Sequence, residues 1–325
     1  MNKIYYYFRD LKCFGINELY YYLKYRIKHR FSDRVKMLQY KDLYYRKLSD
    51  AEMAKEIKIL YKRTMGKELN LDNPVSFNEK IQWLKVYDNK SIKCVLADKY
   101  RVRKWISEKI GESHLIPLIG AYDSFDEINF DELPDQFCIK ANHGSGMNYV
   151  VKDKSKIEYK KLKEMCSLWL KCPYYAHLLE LQYKKMPRKL LIEKYIEEID
   201  GDLKDYKVHC FNGEPRIIQI IGERDLTNHS AKEAFVDIDW NRIDTMYNTY
   251  KQYESLPEKP NNYEEMLSIS KTLSKGFKYV RVDLYSIRDN WVFGEMTFTP
   301  FSGYGKWNNE QNNIIVGSYL NLNKE

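Results

Sequence analysis

Two β-rich segments near the end of the chain each carry one acidic residue. Residues 279–284 alternate between the two sides of a half-buried strand, and residues 291–295 do the same after a polar turn. Pairing of these strands would bring Asp283 and Glu295 side by side. Neighbouring carboxylates repel each other unless a cation lies between them, and such oxygen ligands favour Mg²⁺ together with nucleotide phosphates. The pattern therefore predicts a magnesium site or, as the simpler alternative, a cross-strand pair on a solvated surface.

A loop of small residues follows another predicted strand. Residues 137–140 form a short apolar segment ending in Lys140, and residues 141–148 contain a Gly-Ser-Gly turn. Backbone N–H groups of small residues can surround phosphate oxygens, and the lysine adds a positive charge. The loop lacks the Gly-Lys-Ser/Thr of a P-loop and the spacing of a dinucleotide fingerprint. A plain hairpin turn is the alternative.

A third candidate lies between these two. Residues 190–196 are β-prone and carry Glu193 and Lys194 in the middle. A strand that becomes a linker offers an adenine ring backbone N–H and C=O groups and an apolar wall. Three acidic residues follow it: Glu197, Glu198 and Asp200.

A further strand is predicted at residues 205–210. Its alternation places Asp205, Lys207 and His209 on one face. Each of them is also compatible with ordinary surface, and for His209 this is the simpler interpretation.

Taken together, these segments resemble ATP-grasp enzymes and, in more detail, the TupA-like ATP-grasp family of bacterial polysaccharide and teichuronopeptide biosynthesis. The resemblance rests on features that occur in a fixed order along the chain. They are a lysine at a predicted helix start (Lys99), a strand lysine followed by a glycine loop (Lys140), a Glu-Lys hinge (193–194), Arg-x-Asp (281–283) and Glu-x-Thr (295–297). The resemblance covers about residues 74–307. The matching segments are 76–83, 97–100, 140–146, 205–207, 211–215, 239–240 and 281–303.

The resemblance implies an ATP site. Lys99 and Lys140 correspond to the lysines that neutralise the phosphates. The flap over the phosphates corresponds to Asn142, His143, Gly144, Ser145 and Gly146. The adenine hinge corresponds to Glu193, Lys194, Tyr195 and Ile196, and the ribose acid remains open among Glu197, Glu198 and Asp200.

The resemblance also implies Mg²⁺ and catalytic residues. The metal ligands would be Asp283, Glu295 and Thr297, where Thr297 stands at a position that related ligases often fill with Asn. Arg281 and Lys207 are the implied catalytic residues, and Arg281 would steady the charged intermediate. Candidate substrate contacts are Ser302, Gly303 and His209.

The implied reaction is ATP-dependent amide formation through an acyl phosphate. It would join an amino acid or other amine to a uronic acid or amino sugar of a bacterial surface glycan or its precursor. One alternative is a glycosyltransferase, for which Asp237-Ile238-Asp239 has the form of an Asp-x-Asp metal motif. Another is a nonenzymatic glycan-binding scaffold.

Positive charge is concentrated at the start of the chain. The net charge is +8, and residues 1–50 hold 12 Lys and Arg against five Asp and Glu, with 10 of the 29 tyrosines. This pattern fits an anionic glycan or a peripheral membrane contact. Nucleic acid is disfavoured because no binding motif accompanies the charge. The alternative is a helical appendage that packs its tyrosines on the catalytic body.

The sequence predicts a cytoplasmic protein, either free or peripheral at the inner membrane face. No apolar run approaches the roughly 18 residues of a membrane span, and Arg9 and Asp10 interrupt any signal-peptide core. The six cysteines form no Cys-x-x-Cys pair, which favours reduced thiols.

The predicted fold class is α+β, an ATP-grasp fold with ATP held between two α+β subdomains. A basic, tyrosine-rich helical region at residues 1–73 would precede subdomains at 74–192 and 193–325. A capping box of Ser76 and Glu79 predicts a helix to residue 84, and Asp98 is expected to cap another that ends at Gly111. Further helices are predicted at 160–181 and 263–276.

Overall fold

The computed structural model of this 325-residue chain describes residues 3–196, 203–225, 230–244, 249–287 and 290–323. Ten α-helices occur in these ranges. They are α1 (Lys3–Phe14), α2 (Ile16–Lys28), α3 (Phe31–Tyr45), α4 (Asp50–Met65), α5 (Phe77–Tyr87), α6 (Ser91–Leu96), α7 (Val102–Ile110), α8 (Tyr159–Lys171), α9 (Tyr263–Ser274) and α10 (Glu310–Ser318).

Ten strands form two sheets within the same ranges. They are β1 (Leu118–Tyr122), β2 (Phe137–Ala141), β3 (Asn148–Val151), β4 (Leu190–Lys194), β5 (Asp205–Phe211), β6 (Glu214–Asp225), β7 (Ser230–Val236), β8 (Lys251–Gln252), β9 (Tyr279–Ile287) and β10 (Asn290–Thr297). The four-stranded sheet has the order β1-β4-β2-β3, and the six-stranded sheet has the order β10-β9-β5-β6-β7-β8. All pairs are antiparallel except β7 with β8.

The apolar core divides according to the two sheets. The first cluster joins α3, α4 and α8 to the four-stranded sheet, so the N-terminal helices share their core with that sheet. The second joins α6, α7 and α9 to the six-stranded sheet. A third packs α5 and α10 against the ends of β5, β6 and β9. The fold is therefore α+β with a helical N-terminal region, as the sequence predicts, while the division at residues 74–192 and 193–325 stays a prediction.

The capping box at the start of α5 is present as predicted. Ser76 Oγ accepts from the backbone N–H of Glu79 at 3.3 Å, and the Glu79 carboxylate accepts from the N–H of Ser76 at 2.9 Å. These bonds satisfy two of the N–H groups that a helix start leaves unpaired. The helix continues to Tyr87, three residues beyond the predicted end.

Three further helix bounds differ from the prediction, and the smallest difference is at α9, which ends at Ser274 rather than Gly276. Asp98 caps a turn, accepting from the N–H groups of Tyr100 and Arg101 at 2.9 and 3.3 Å, and α7 begins only at Val102. The helix predicted at 160–181 ends at Lys171. Pro173 explains this end, because proline disfavours helical geometry in the residue before it and donates no hydrogen bond.

A helix crosses a membrane only if it is both long and apolar. In the part of the chain that the structure describes, none is both long enough and apolar enough to cross a bilayer. The six cysteines are free thiols, and Cys138, Cys166, Cys172 and Cys210 are buried.

Candidate active site

The two acidic strands pair in the predicted register. Glu295 on β10 lies opposite Asp283 on β9, next to a register shift at Gly294. A side chain at Gly294 would place its Cβ 3.1 Å from the Asp283 carbonyl oxygen, which explains a glycine at this close approach. The predicted pairing of Asp283 with Glu295 is therefore confirmed.

Asp283 lies in a buried network of alternating charges. Its carboxylate accepts two hydrogen bonds from the Arg281 guanidinium, both at 2.7 Å, and one from Lys207 Nζ at 2.6 Å. Lys207 also pairs with Asp205 at 2.7 Å, and Arg224 contacts Asp205 at 3.0 Å. Burial lowers the pKa of Lys207, but Asp205 and Asp283 outweigh it and raise that pKa. The lysine is therefore an ammonium held between two acids.

Glu295 is the more accessible acid, with 33% of its side chain exposed. Lys99 Nζ lies 3.1 Å from one carboxylate oxygen, and Arg281 Nη2 lies 3.5 Å from the other. Burial raises the pKa of Glu295, but Lys99, Lys207 and Arg281 outweigh this and hold the pKa at about 2. Thr297 Oγ1 is 3.4 Å from Glu295 Oε1 and accepts from Arg281 Nη2 at 3.1 Å. A carboxylate and a hydroxyl thus stand together at the open side of the network.

Lys99 joins the glycine loop to these strands. It lies in the turn between α6 and α7, where its backbone N–H donates to the Asn142 carbonyl at 3.1 Å. Its Nζ donates to the Gly144 carbonyl at 2.8 Å. One ammonium therefore contacts both the loop and Glu295.

The loop residues predicted as a flap divide into two groups. Asn142 and His143 are buried: the Asn142 amide donates to Asp98 at 2.9 Å, and His143 Nε2 is 3.2 Å from the Cys172 carbonyl. Burial lowers the pKa of His143 to about 4, so its ring is neutral. Ser145 and Gly146 are exposed. The side chains of the first group brace the loop, and its tip is free to meet a ligand.

Gly144 lies between the buried residues Asn142 and His143 and the exposed residues Ser145 and Gly146. Its φ of +87° favours glycine, and an added Cβ would lie 2.5 Å from the Tyr174 ring. The loop can therefore approach Tyr174 this closely only without a side chain at position 144.

Lys140 and Glu193 form a pair across β2 and β4. Their Nζ and Oε2 atoms are 2.7 Å apart, and Arg103 Nη1 lies 3.4 Å from the other oxygen of Glu193. Burial lowers the pKa of Lys140, but Glu193 outweighs it and raises that pKa. The predicted phosphate lysine and the predicted adenine acid are thus in direct contact.

The other hinge residues lie at the end of β4. Lys194 is exposed, and its backbone N–H donates to the Pro117 carbonyl at 2.9 Å. Tyr195 and Ile196 are half-buried. The ribose candidates Glu197, Glu198 and Asp200 lie outside the described residues.

Ser302 and Gly303 belong to a left-handed backbone segment. Phe301, Ser302 and Gly303 have φ values of 48°, 54° and 71°. The amide of Gln82 donates to the carbonyls of Ser302 and Gly303 at 2.9 and 3.0 Å, and Lys85 Nζ donates to the Ser302 carbonyl at 2.6 Å. Two side chains of α5 therefore hold a backbone conformation that non-glycine residues rarely adopt.

His209 is fully buried on β5. Its Nδ1 lies 2.8 Å from Tyr279 Oη, and its Nε2 has no hydrogen-bond partner among the residues that the structure describes. Burial, with Arg281 and Lys207 nearby, lowers its pKa well below the usual value. Its contacts match the simpler, structural interpretation better than a substrate contact.

Several residues of the site were not assigned from sequence. Asp205 shares the alternation of Lys207, so the strand pattern carries a signal for it. Gln82 lies in the matching segment 76–83, although that resemblance assigned it no contact. No sequence signal marks Arg103 or Lys85, because they reach partners far away along the chain.

The Asp-x-Asp segment forms a turn of its own. Asp237 Oδ1 accepts from the backbone N–H groups of Asp239 and Asn241 at 3.0 and 2.8 Å. Its other carboxylate oxygen accepts from the Asn241 side-chain amide at 3.1 Å. Asp237 is thus engaged as a turn residue, a common role for aspartate.

The oxygen donors on β9 and β10 fit a magnesium ion that also binds ligands from outside the protein. Glu295 and Thr297 offer an accessible carboxylate and a hydroxyl. Asp283 adds a second carboxylate, but its oxygens accept from Arg281 and Lys207 and would have to exchange one of these bonds for the ion. Mg²⁺ commonly takes one or two carboxylates together with water and phosphate oxygens. Among the described residues, no group of three or more His, Cys, Asp or Glu side chains could hold a metal ion. The donor set therefore suits an ion that shares its shell with a nucleotide better than a closed protein site.

Comparison with known proteins identifies the family. The model of the family described as TupA-like ATPgrasp matches residues 79–321, so the chain belongs to the TupA-like ATP-grasp family. No curated protein sequence matches it.

Solved structures provide a weaker likeness. D-alanine–D-alanine ligase from Bacillus anthracis complexed with ATP is 20% identical with a TM-score of 0.38, covering 63% of this chain and 55% of that one. ATP-grasp ligase PsnB with a phosphomimetic variant of its minimal precursor, Mg and ADP is 11% identical with a TM-score of 0.38, covering 74% and 65%. C-terminally truncated Cdc123 from Schizosaccharomyces pombe is 12% identical with a TM-score of 0.37, covering 66% and 88%. The chain thus spans about 55% of the length of the first of these.

Proposed function

We propose that this protein is an ATP-dependent carboxylate–amine ligase that works through an acyl phosphate. In this reaction a carboxylate attacks the γ-phosphorus of ATP, ADP leaves, and an amine then displaces phosphate to form an amide. Membership of the TupA-like ATP-grasp family supports this reaction class.

One observation carries the proposal: three lysines each contact a carboxylate, and all three interact with the charge of Glu295. Burial lowers the pKa of Lys140 and of Lys207, but their carboxylate partners and, to a smaller extent, Glu295 raise it. Glu295 also contacts Lys99 directly. The pairs are Lys99–Glu295, Lys140–Glu193 and Lys207–Asp283, at 3.1, 2.7 and 2.6 Å. A ligand with several negative charges can replace the carboxylates as the partner of the lysines. A cation that is bound to this ligand can replace the lysines as the partner of the carboxylates. This exchange fits a nucleotide accompanied by Mg²⁺.

The roles of the side chains follow from their charges. Lys99 and Lys140 would bind phosphate oxygens, and Arg281 would face the charge that develops on the transferred group. Mg²⁺, held by Asp283, Glu295 and Thr297, would supply further neutralisation of that charge. The exposed tip at Ser145 and Gly146 would exclude water, which would otherwise hydrolyse the acyl phosphate.

We further propose that the carboxylate and the amine come from an amino acid and from a uronic acid or amino sugar of a bacterial surface polysaccharide. The family's association with polysaccharide synthesis and the basic N-terminal region support this choice. Because the reaction consumes ATP, we expect it to occur in the cytoplasm. The N-terminal region would hold the enzyme at an anionic surface.

The test is magnesium-dependent ATP consumption with a panel of uronic acids, uronate oligomers, amino sugars and amino acids. The nucleotide product is identified, and hydroxylamine is added to trap an acyl phosphate. We expect ADP and a hydroxamate of the activated acid. A Lys140→Ala variant should lose activity, while Lys160→Ala, an exposed lysine on α8, should keep it.

Two results would contradict the proposal. Release of UDP or GDP from a nucleotide sugar without ATP consumption would assign the chain to glycosyl transfer. Normal glycan modification in cells that carry Asp283→Asn and Glu295→Gln would assign it to a nonenzymatic glycan-binding scaffold.

A further inference from the structure

Helix α2 presents its aliphatic residues outward. Ile16 and Ile27 are 72% and 77% exposed, and Tyr20 and Leu23 between them are 54% and 46% exposed. At about 100° per residue, these four positions form one stripe along the helix. We name it the α2 stripe. These aliphatic side chains contribute little to folding stability, because most of their surface remains in contact with water.

The opposite face of α2 is polar and aromatic, and it is the face that packs on the protein. Glu18 is buried and lies 3.7 Å from Lys41 of α3. Tyr21 stacks on Tyr40 with the ring centroids 6.0 Å apart. The helix is therefore attached by its tyrosines and its acid, so the α2 stripe is not needed for its attachment.

Charge around the α2 stripe is positive. Asp10 and Glu18 are the only acidic residues among residues 1–30, and both are buried. Arg63 pairs with Asp10 at 2.5 Å. Arg26 and Lys28 are exposed, and the helical repeat places them on opposite sides of the stripe. The outward surface thus combines an apolar stripe with flanking cations and no carboxylate from these helices.

We propose that α2 is an interfacial anchor for an anionic lipid bilayer. The α2 stripe would enter the boundary between headgroups and acyl chains, and Arg26 and Lys28 would contact lipid phosphates. Helix α1 exposes Phe8 and Leu11, which add apolar surface in the same region of the chain. This inference does not depend on the ligase reaction, because none of these residues belongs to the active site.

Other partners fit the surface less well. A second copy of the chain would bring the cations of two stripes together, which is unfavourable. A glycan would stack on aromatic rings, whereas the two most exposed residues of the stripe are isoleucines. Of these three partners, only an anionic bilayer provides contacts for both the aliphatic and the cationic side chains.

The test is flotation of the full chain with vesicles of phosphatidylglycerol and phosphatidylcholine, compared with vesicles of phosphatidylcholine alone. We expect binding to the anionic vesicles only. The double variant Leu23→Gln/Ile27→Gln should bind roughly tenfold more weakly or worse. Its matched control is Leu43→Gln, an exposed leucine of α3, which should bind like the parent.

A second pair of variants tests the charges. Arg26→Gln/Lys28→Gln should weaken binding by roughly fivefold per cation, and the loss should shrink at high salt. Lys36→Gln/Lys55→Gln removes the same charge from other exposed positions and should have a smaller effect.

Three results would overturn the inference. The first is no binding of the parent to anionic vesicles. The second is equal binding of the parent and the Leu23→Gln/Ile27→Gln variant. The third is a dimer, measured by light scattering, or retention on a uronate polymer, that this variant abolishes while vesicle binding is unaffected.

Discussion

The ammonium group of Lys99 lies 3.1 Å from Glu295 Oε2 and 2.8 Å from the Gly144 carbonyl oxygen. One side chain therefore connects the turn before α7, the glycine loop and the outer strand of the six-stranded sheet. If Lys99 binds phosphate, Glu295 competes with the nucleotide for it.

This competition predicts an unusual effect of Glu295→Gln. Without divalent metal, the variant should bind ATP roughly tenfold more tightly than the parent, because a negative charge near the phosphates is removed. With Mg²⁺, the order should reverse and turnover should be lost. Isothermal titration in EDTA and in Mg²⁺ measures both, with Glu164→Gln, an exposed acid of α8, as the control. Weaker ATP binding by the variant in EDTA would refute the competition.

Asp283→Asn should reduce turnover by on the order of a hundredfold or more while the fold survives. The amide keeps the size of the side chain but removes the charge that lies between Arg281 and Lys207. Asp239→Asn, in the exposed turn that resembles a glycosyltransferase motif, should leave turnover unchanged. Product formation and circular dichroism are measured for both. If only the Asp239 variant lost activity, the Asp-x-Asp segment at 237–239, and not the Arg-x-Asp segment at 281–283, would be assigned to the active site.

The sequence predicts the parts of this site that depend on local periodicity. Alternation along two strands joined by a short turn places Asp283 opposite Glu295. The contacts of Lys99 depend instead on the packing of elements distant along the chain. Gln82 reaches the Ser302 carbonyl from 220 residues away, and no local pattern indicates such a bond.

The wrong helix bounds have a similar cause. The apolar spacing after residue 160 continues past Lys171, but Pro173 ends the helix. Asp98 has the residue type of an N-cap, yet its carboxylate also accepts from Asn142 at 2.9 Å and holds a turn instead. Aspartate occurs both as a helix cap and as a turn residue, so the sequence alone does not show which role Asp98 has. Its hydrogen bond with the distant Asn142 determines the role.

Gly144 and Gly146 provide a matched pair for the loop. Both have positive φ, +87° and +74°, so alanine at either position carries strain of roughly 1–2 kcal/mol. At Gly144 the new Cβ would lie 2.5 Å from the Tyr174 ring, whereas at Gly146 no atom of the described residues, the chain neighbours aside, would lie within 4 Å of it. Gly144→Ala should therefore lower the melting temperature and ATP affinity more than Gly146→Ala. Equal effects would mean that the contact with Tyr174 does not constrain the loop.

His143 should make the protein less stable in mild acid. Burial, reinforced by Arg188, lowers its pKa from 6.5 to about 4, so between these values the unfolded chain binds a proton that the folded chain does not. The free energy of unfolding should therefore fall as pH falls from 6.5 to 4, by about 1.4 kcal/mol per pH unit for this one group.

Urea unfolding of His143→Gln across this range tests the assignment. The glutamine amide can still donate to the Cys172 carbonyl, so we expect a shallower pH dependence and an ATP affinity close to that of the parent. A large loss of ATP affinity without a change in the pH dependence would make His143 a nucleotide contact.

Gln82 should matter for the left-handed segment more than for the nucleotide. Gln82→Met keeps the length of the side chain but leaves the buried carbonyls of Ser302 and Gly303 without its hydrogen bonds, which costs about 1–3 kcal/mol. If that segment contacts the acceptor, KM for the acceptor should rise while ATP affinity stays unchanged. Gln136→Met, whose amide bonds an exposed carbonyl, is the control for stability and kinetics. A stability equal to that of the parent would show that Lys85, which also donates to the Ser302 carbonyl, is sufficient to hold this conformation.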